Sequence, residues 1–184
     1  MNKLIRGILE FLIYTAGVLL GTYLIIHFIG QRTEVIGTSM VPTLEDGDQL
    51  IVEKISYRFH DPERYDIIVF PFHYAEKTYF VKRIIGLPGE RVRIDFDGTL
   101  YINGEAVDDG YGREVMIDPG IAAVEITLAD DEYFVLGDNR NNSQDSRDPA
   151  VGPIKRSELI GRVFTRIWPF SRFGSLYDDR SREE

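Results

Sequence analysis

The sequence predicts a mainly β fold, a coiled antiparallel sheet or barrel, behind one N-terminal transmembrane helix. Three observations carry this. Phe11 to Ile29 is an apolar run without Asp, Glu, Lys or Arg. Closely spaced β-branched runs, bounded by turn residues, follow it. No long segment after residue 30 shows helical periodicity. At 184 residues, 43% hydrophobic and 28% charged, the chain is neither disordered nor collagen-like and suggests one principal domain. A net charge of -9 argues against a nucleic-acid partner. Zero cysteines exclude disulfides, a thiol nucleophile, Cys-ligated zinc and iron–sulfur clusters. His27, His60 and His73 are the only histidines, a poor supply for a His-rich centre. No metal or cofactor is expected.

The elements follow in order. Residues 8–30 read as one transmembrane helix, since the apolar run alone spans about 28 Å as a helix. A cleaved secretory signal is the alternative. The run is long for such a segment, and no Ala-x-Ala-like site follows at Gly30-Gln31-Arg32-Thr33. Gly17 and Gly21 form a GxxxG pair that could pack a partner helix. Lys3 and Arg6 favour a cytoplasmic N-terminus, residues 1–7, with the rest outside. Glu10 offsets one of them, so the acidic excess lies beyond residue 30. Residues 31–174 form the extracytoplasmic domain. Its expected strands are Gln49–Glu53, Asp66–Phe70, Tyr79–Ile85, Arg91–Phe96, Thr99–Ile102 and Glu132–Leu136. Asp97-Gly98 should close a hairpin through a type I′ turn, with Asn103-Gly104 as a further turn signal. A helical turn fits Ser157–Ile160. Asp108–Ala123, Gly-rich and weakly patterned, reads as a surface insertion. Residues 175–184 read as a polar, frayed tail.

Four segments have chemical potential. Gly37-Thr38-Ser39-Met40-Val41-Pro42-Thr43 offers a serine in a stiff turn, or an ordinary turn serine. Tyr79-Phe80-Val81-Lys82-Arg83-Ile84-Ile85-Gly86 places two cations on opposite strand faces, Lys82 with Phe80 and Ile84. One cation then meets an apolar environment, unless this is an edge strand with a snorkelling lysine. Gly137-Asp138-Asn139-Arg140-Asn141-Asn142-Ser143-Gln144-Asp145-Ser146-Arg147 is a dense polar loop after an apolar strand, building a turn or a site. Its spacing does not match an EF-hand. Arg166-Ile167-Trp168-Pro169-Phe170-Ser171-Arg172-Phe173 reads equally as a contact with lipid headgroups or as a final core strand.

A serine nucleophile needs a base. His60 and His73 lie in no motif-like setting, which leaves a Ser-Lys dyad as the other route. At a free pKa near 10.4 only about one lysine in a thousand is neutral at pH 7.4. Lowering that pKa to roughly 7–8 costs about 3–5 kcal/mol, within reach of desolvation. Such a lysine must be dry and without a carboxylate partner, and Phe80, Val81 and Ile84 are suitable neighbours.

Ser39-Met40-x-Pro42-Thr43, Lys82-Arg83-x-x-Gly86-x-Pro88-Gly89 and Gly137-Asp138-Asn139-x-x-x-Ser143-x-Asp145-Ser146-Arg147 together resemble three boxes of bacterial type I signal peptidases. The order matches, as does the preceding span, and the short insertions resemble the compact form common in Gram-positive bacteria. The resemblance implies a membrane-anchored serine endopeptidase that removes signal peptides from secretory preproteins at the outer face of the plasma membrane. By it, Ser39 is the nucleophile and Lys82 the general base. Ser143 orients Lys82, and Asp145 with Arg147 forms a structural pair. Met40, Leu44 and Val81 are expected to wall shallow pockets for small residues at the first and third positions before the cut. The backbone N–H of Ser39 donates to the oxyanion. Some members add a serine hydroxyl two residues earlier, where this chain has Gly37, so its second donor must differ. The implied partners are preproteins and the bilayer; a monomer is expected, and the charge argues against nucleic acid. Three rivals remain at this level. A self-cleaving repressor would carry a DNA-binding module where this chain has a membrane span. A β-barrel binding module would leave Lys82 with an ordinary pKa. A Ser-His hydrolase would depend on His73.

Overall fold

A computed structural model describes residues 3–24, 30–112, 114–174 and 176. Helix α1 runs Lys3–Leu24. It is long and apolar enough to cross a membrane, and none of its apolar window is buried within the chain. It starts before the expected residue 8. Residues 25–29 of the expected span, His27 among them, lie outside the described residues. Gly30 already belongs to a strand.

Eleven strands follow among the described residues: β1 Gly30–Glu34, β2 Gln49–Glu53, β3 Ile67–Pro71, β4 Tyr79–Gly86, β5 Arg91–Ile94, β6 Leu100–Ile102, β7 Glu105–Val107, β8 Ile126–Thr127, β9 Glu132–Leu136, β10 Ile154–Lys155 and β11 Gly161–Trp168. They form a seven-stranded sheet, β1-β2-β11-β3-β4-β9-β10, and a four-stranded sheet, β7-β6-β5-β8. Every pairing is antiparallel. Of the sheet or barrel that the strand pattern allowed, the chain forms open sheets, with no closed barrel among the described residues.

Period-two patterning sets the core. On β3, Ile67 and Val69 face a cluster with Met40, Leu44, Leu50 and Val163. Ile68 and Phe70 face another with Ile84, Tyr133 and Val135. A third cluster, with Ile85, Val92, Leu100 and Phe134, joins the two sheets. Leu176 packs in the first of these, so at least one residue of the expected frayed tail is anchored. The other tail residues lie outside the described set.

Two local expectations need correction. At Asp97-Gly98 only the glycine has positive φ, at 87°. The Gly98 N–H donates to Asp95 O, and the Asp97 carboxylate accepts from the Thr99 N–H. This is a type I turn ending in a left-handed glycine, because the aspartate side chain closes its own turn. The type I′ geometry sits at Asn103-Gly104, whose φ values are 54° and 86°. Asp108–Ala123 is also more than surface. Met116 and Ala122 are buried, and Asp109 binds Arg140 of the polar loop.

Candidate active site

Ser39 sits in a turn held by its own backbone and by distant side chains. Val41 N–H donates to Thr38 O, and Leu44 N–H to Met40 O. Gly37, at φ +98°, donates its N–H to Asp46 Oδ1. Asp48 is buried within the same segment and binds Arg166 at 3.1 Å and Arg172 at 2.9 Å. Arg166 also donates to Thr43 O. The aromatic–arginine segment thus divides. Its first half belongs to β11, its arginines clamp the serine turn, and Trp168, Phe170 and Phe173 remain substantially exposed.

β4 carries Lys82 to this turn. Lys82 Nζ donates to Ser39 Oγ at 2.7 Å and to Val81 O at 3.1 Å. The side chain is 3% exposed, with Nζ 5.0 Å from the centre of the Phe80 ring. Burial lowers the Lys82 pKa from 10.5 to about 8, against an opposing pull from Asp145 and Asp138. Those two carboxylates are already committed. Asp138 takes a bidentate pair from Arg83, at 2.9 and 2.7 Å. Asp145 takes one from Arg147, at 2.8 and 2.9 Å, and accepts the Gly137 N–H. Arginine keeps its charge throughout, so both acids are neutralised without involving the lysine.

The polar loop supports the turn from the other side. Asn139 N–H donates to Ser39 O at 3.0 Å, and its side-chain amide to Thr38 O at 3.0 Å. Asn142 Nδ2 donates to Thr38 Oγ1 at 2.8 Å. A Cβ on Gly137 would lie 2.2 Å from Ser143 Oγ and 2.5 Å from Ser39 O, so only glycine fits. Ser143 therefore lies against the site. Its Oγ is buried without a hydrogen-bond partner among the described residues, and the expected bond to Lys82 is not formed.

A cleft of about 760 Å³ adjoins the pair, lined by Ser39, Lys82, Met40, Val81, Thr38 and Asn142 among others. Leu44 does not line it, being fully buried in the core cluster that contains Met40. Among the described residues Tyr79–Lys82 pairs with β3 on one edge only, since β9 joins β4 from Arg83 onward. The free edge can receive an extended peptide. His73 pairs with Glu158 on the surface, and His60 offers its carbonyl to Arg156. No group of three or more metal-binding side chains occurs among the described residues. Sequence reasoning missed Thr38, Asn139 and Asn142. The signal for Asn139 and Asn142 was the density of amides in the loop, and for Thr38 its place beside Ser39.

The family model described as signal peptidase, peptidase S26, matches residues 6–168. A probable signal peptidase I-2 from Synechocystis is 44% identical over 165 residues, covering 85% of this chain and 71% of the relative. Signal peptidase I from Bacillus caldolyticus is 42% identical, covering 79% and 84%. Signal peptidase IB from Staphylococcus aureus is 34% identical, covering 91% and 93%.

Proposed function

Since this chain belongs to the signal peptidase, peptidase S26 family, we propose that Ser39 is its nucleophile and Lys82 the base that activates it. The protein is a membrane-anchored signal peptidase I, a serine peptidase that cleaves signal peptides from secreted preproteins. The observation supporting the dyad is the 2.7 Å contact between Lys82 Nζ and Ser39 Oγ at a buried amine.

With a pKa of about 8, roughly a fifth of the lysine is neutral near pH 7.4. In that form the contact reverses and the hydroxyl donates to the amine. As Oγ attacks the scissile carbonyl, its proton passes to Nζ. Collapse of the tetrahedral intermediate breaks the C–N bond, and Nζ returns the proton to the leaving amine. The acyl group rests on Ser39 as an ester. Lys82 then takes a proton from water as it attacks the ester; collapse of the second tetrahedral intermediate breaks the C–Oγ bond, Nζ returns that proton to Ser39 Oγ, and the signal peptide leaves with its new carboxyl terminus. Ser143, with its Oγ unpaired beside the dyad, rotates to hold the ammonium form. The Asp145–Arg147 pair shapes the loop and stays out of proton transfer.

The substrate runs extended along the free edge of Tyr79–Lys82, with Met40 and Val81 walling the space for small side chains. We assign the N-terminus to the cytoplasm, α1 to the bilayer and residues 31–174 to the outer side, with 175–184 as a tail. One chain supplies both dyad members and the cleft, so a monomer suffices. Anchoring enzyme and substrate in one membrane raises their effective concentration. The test is cleavage of a preprotein by the detergent-solubilised full chain. Ser39→Ala and Lys82→Ala should each lose cleavage while retaining the wild-type circular dichroism spectrum. Unchanged turnover in either variant rejects the dyad.

A further inference from the structure

When Ser39 attacks a carbonyl, the developing oxyanion needs preorganised donors, and the Ser39 N–H supplies one. Gly37 brings no side chain, and its own N–H is held by Asp46. Thr38 stands immediately before the nucleophile, exposed in the same cleft. Its hydroxyl oxygen accepts from Asn142 Nδ2 at 2.8 Å and donates to no acceptor among the described residues. An amide N–H occupies a lone pair on that oxygen and leaves the single hydroxyl hydrogen to be given elsewhere. The same bond polarises the hydroxyl and strengthens it as a donor. Covalent geometry adds a constraint. A threonine hydroxyl turned toward the following residue lies about 3 Å from that residue's backbone nitrogen. Two donors at that spacing can converge on one oxygen.

We propose that the Thr38 hydroxyl is the second oxyanion donor of this site and that Asn142 is the residue that positions it. The assignment rests on Ser39 as nucleophile. Asn142 acts through Thr38: it reaches across from the polar loop and sets the direction in which the hydroxyl donates. The Asn139 bonds to Thr38 O and Ser39 O hold the two backbones at the distance this requires. The site is thereby completed by a side chain adjacent to the nucleophile, with its orientation imposed from a segment about a hundred residues away.

The test uses the full chain in detergent with a preprotein and two signal-peptide probes, one ending in an aldehyde and one in the corresponding alcohol. With the aldehyde, a bond forms between Ser39 Oγ and the carbonyl carbon. The π pair moves to oxygen and the Oγ proton passes to Lys82. The alcohol makes the same pocket contacts but generates no oxyanion. Thr38→Val should lower kcat about a hundredfold, the usual scale for one such donor, with KM within about twofold. It should weaken the aldehyde by a similar factor and leave the alcohol unchanged. Thr38→Ser should restore most of the loss. Asn142→Ala should lower kcat about five- to tenfold alone and add nothing in the Thr38→Val background. If Thr38→Val fails to fold, Thr38→Ala carries the same comparison. A kcat within twofold of wild type, equal weakening of both probes, or additive losses would each overturn the assignment. Ser39→Ala, run in parallel, should abolish the preference for aldehyde over alcohol. A retained preference there sinks the nucleophile itself, whereas its loss beside an unmoved Thr38→Val sinks only the donor.

Discussion

Lys82 and Arg83 are consecutive cations on one strand, both buried, and their two surroundings treat charge in opposite ways. Arg83 is fully enclosed and fully paired. It is gripped by both oxygens of Asp138, donates to Tyr65 O and stacks 3.7 Å from the centre of the Tyr111 ring. Lys82 is nearly as buried, and among the described residues its amine meets a hydroxyl, a carbonyl and an aromatic face but no carboxylate within ion-pair distance. Burial alone therefore assigns no role. A paired buried charge is structural, while an unpaired buried amine is pushed toward neutrality and becomes a base. The arginines on Asp138 and Asp145 are what keep the lysine unpaired.

The largest effect that could break this comparison concerns the arginine. Asp138→Ala strands Arg83 without a counter-charge and should cost about 3–5 kcal/mol in urea unfolding. A cost under about 1 kcal/mol would mean the guanidinium finds water or another partner. Next comes the lysine. Its folded pKa of about 8 lies below the unfolded value of 10.5. The folded chain thus binds fewer protons between these limits, and stability rises with pH across that window. Below pH 8 the fold carries the whole penalty, so Lys82→Met should stabilise the domain by about 3 kcal/mol at pH 7. The gain should shrink as pH approaches 10.5. A loss of stability at pH 7 would show that the amine is held by more than it costs. The smallest effect sharpens the comparison. With the neutral amine as the active form, kcat/KM should rise about tenfold per unit below pH 8 and level off above it. A profile flat from pH 6 to 9 would place the base elsewhere.

Much of the large sheet was legible because β2, β3, β4 and β9 are runs rich in β-branched or aromatic residues that bury most of their apolar side chains. β1, Gly-Gln-Arg-Thr-Glu, carries no such pattern. It is an edge strand defined by its register with β2, from Gly30 opposite Glu53 to Glu34 opposite Gln49. β8 and β10 are two residues each and exist only through their partners. The hairpin at Asp97-Gly98 misled because the dipeptide suits two turn types, and a side-chain oxygen chose between them. In the site, strand alternation correctly put Lys82 beside Phe80, on an apolar face. The bonds from Asn139 and Asn142 to the serine turn join segments about a hundred residues apart, and no local pattern encodes them. Leu44 illustrates the same limit: its neighbours, not its position near Ser39, decide that it fills the core.

The grip of Arg166 and Arg172 on Asp48 ties positions 118 and 124 residues apart. During synthesis the segment bearing the hydroxyl emerges before its fasteners. Until β11 has slotted between β2 and β3, Asp48 lacks the counter-ions that lock its loop. Alignment of the serine turn is in this way deferred until β11 docks, and a chain stalled before that strand holds Ser39 and Lys82 without the clamp on Asp48.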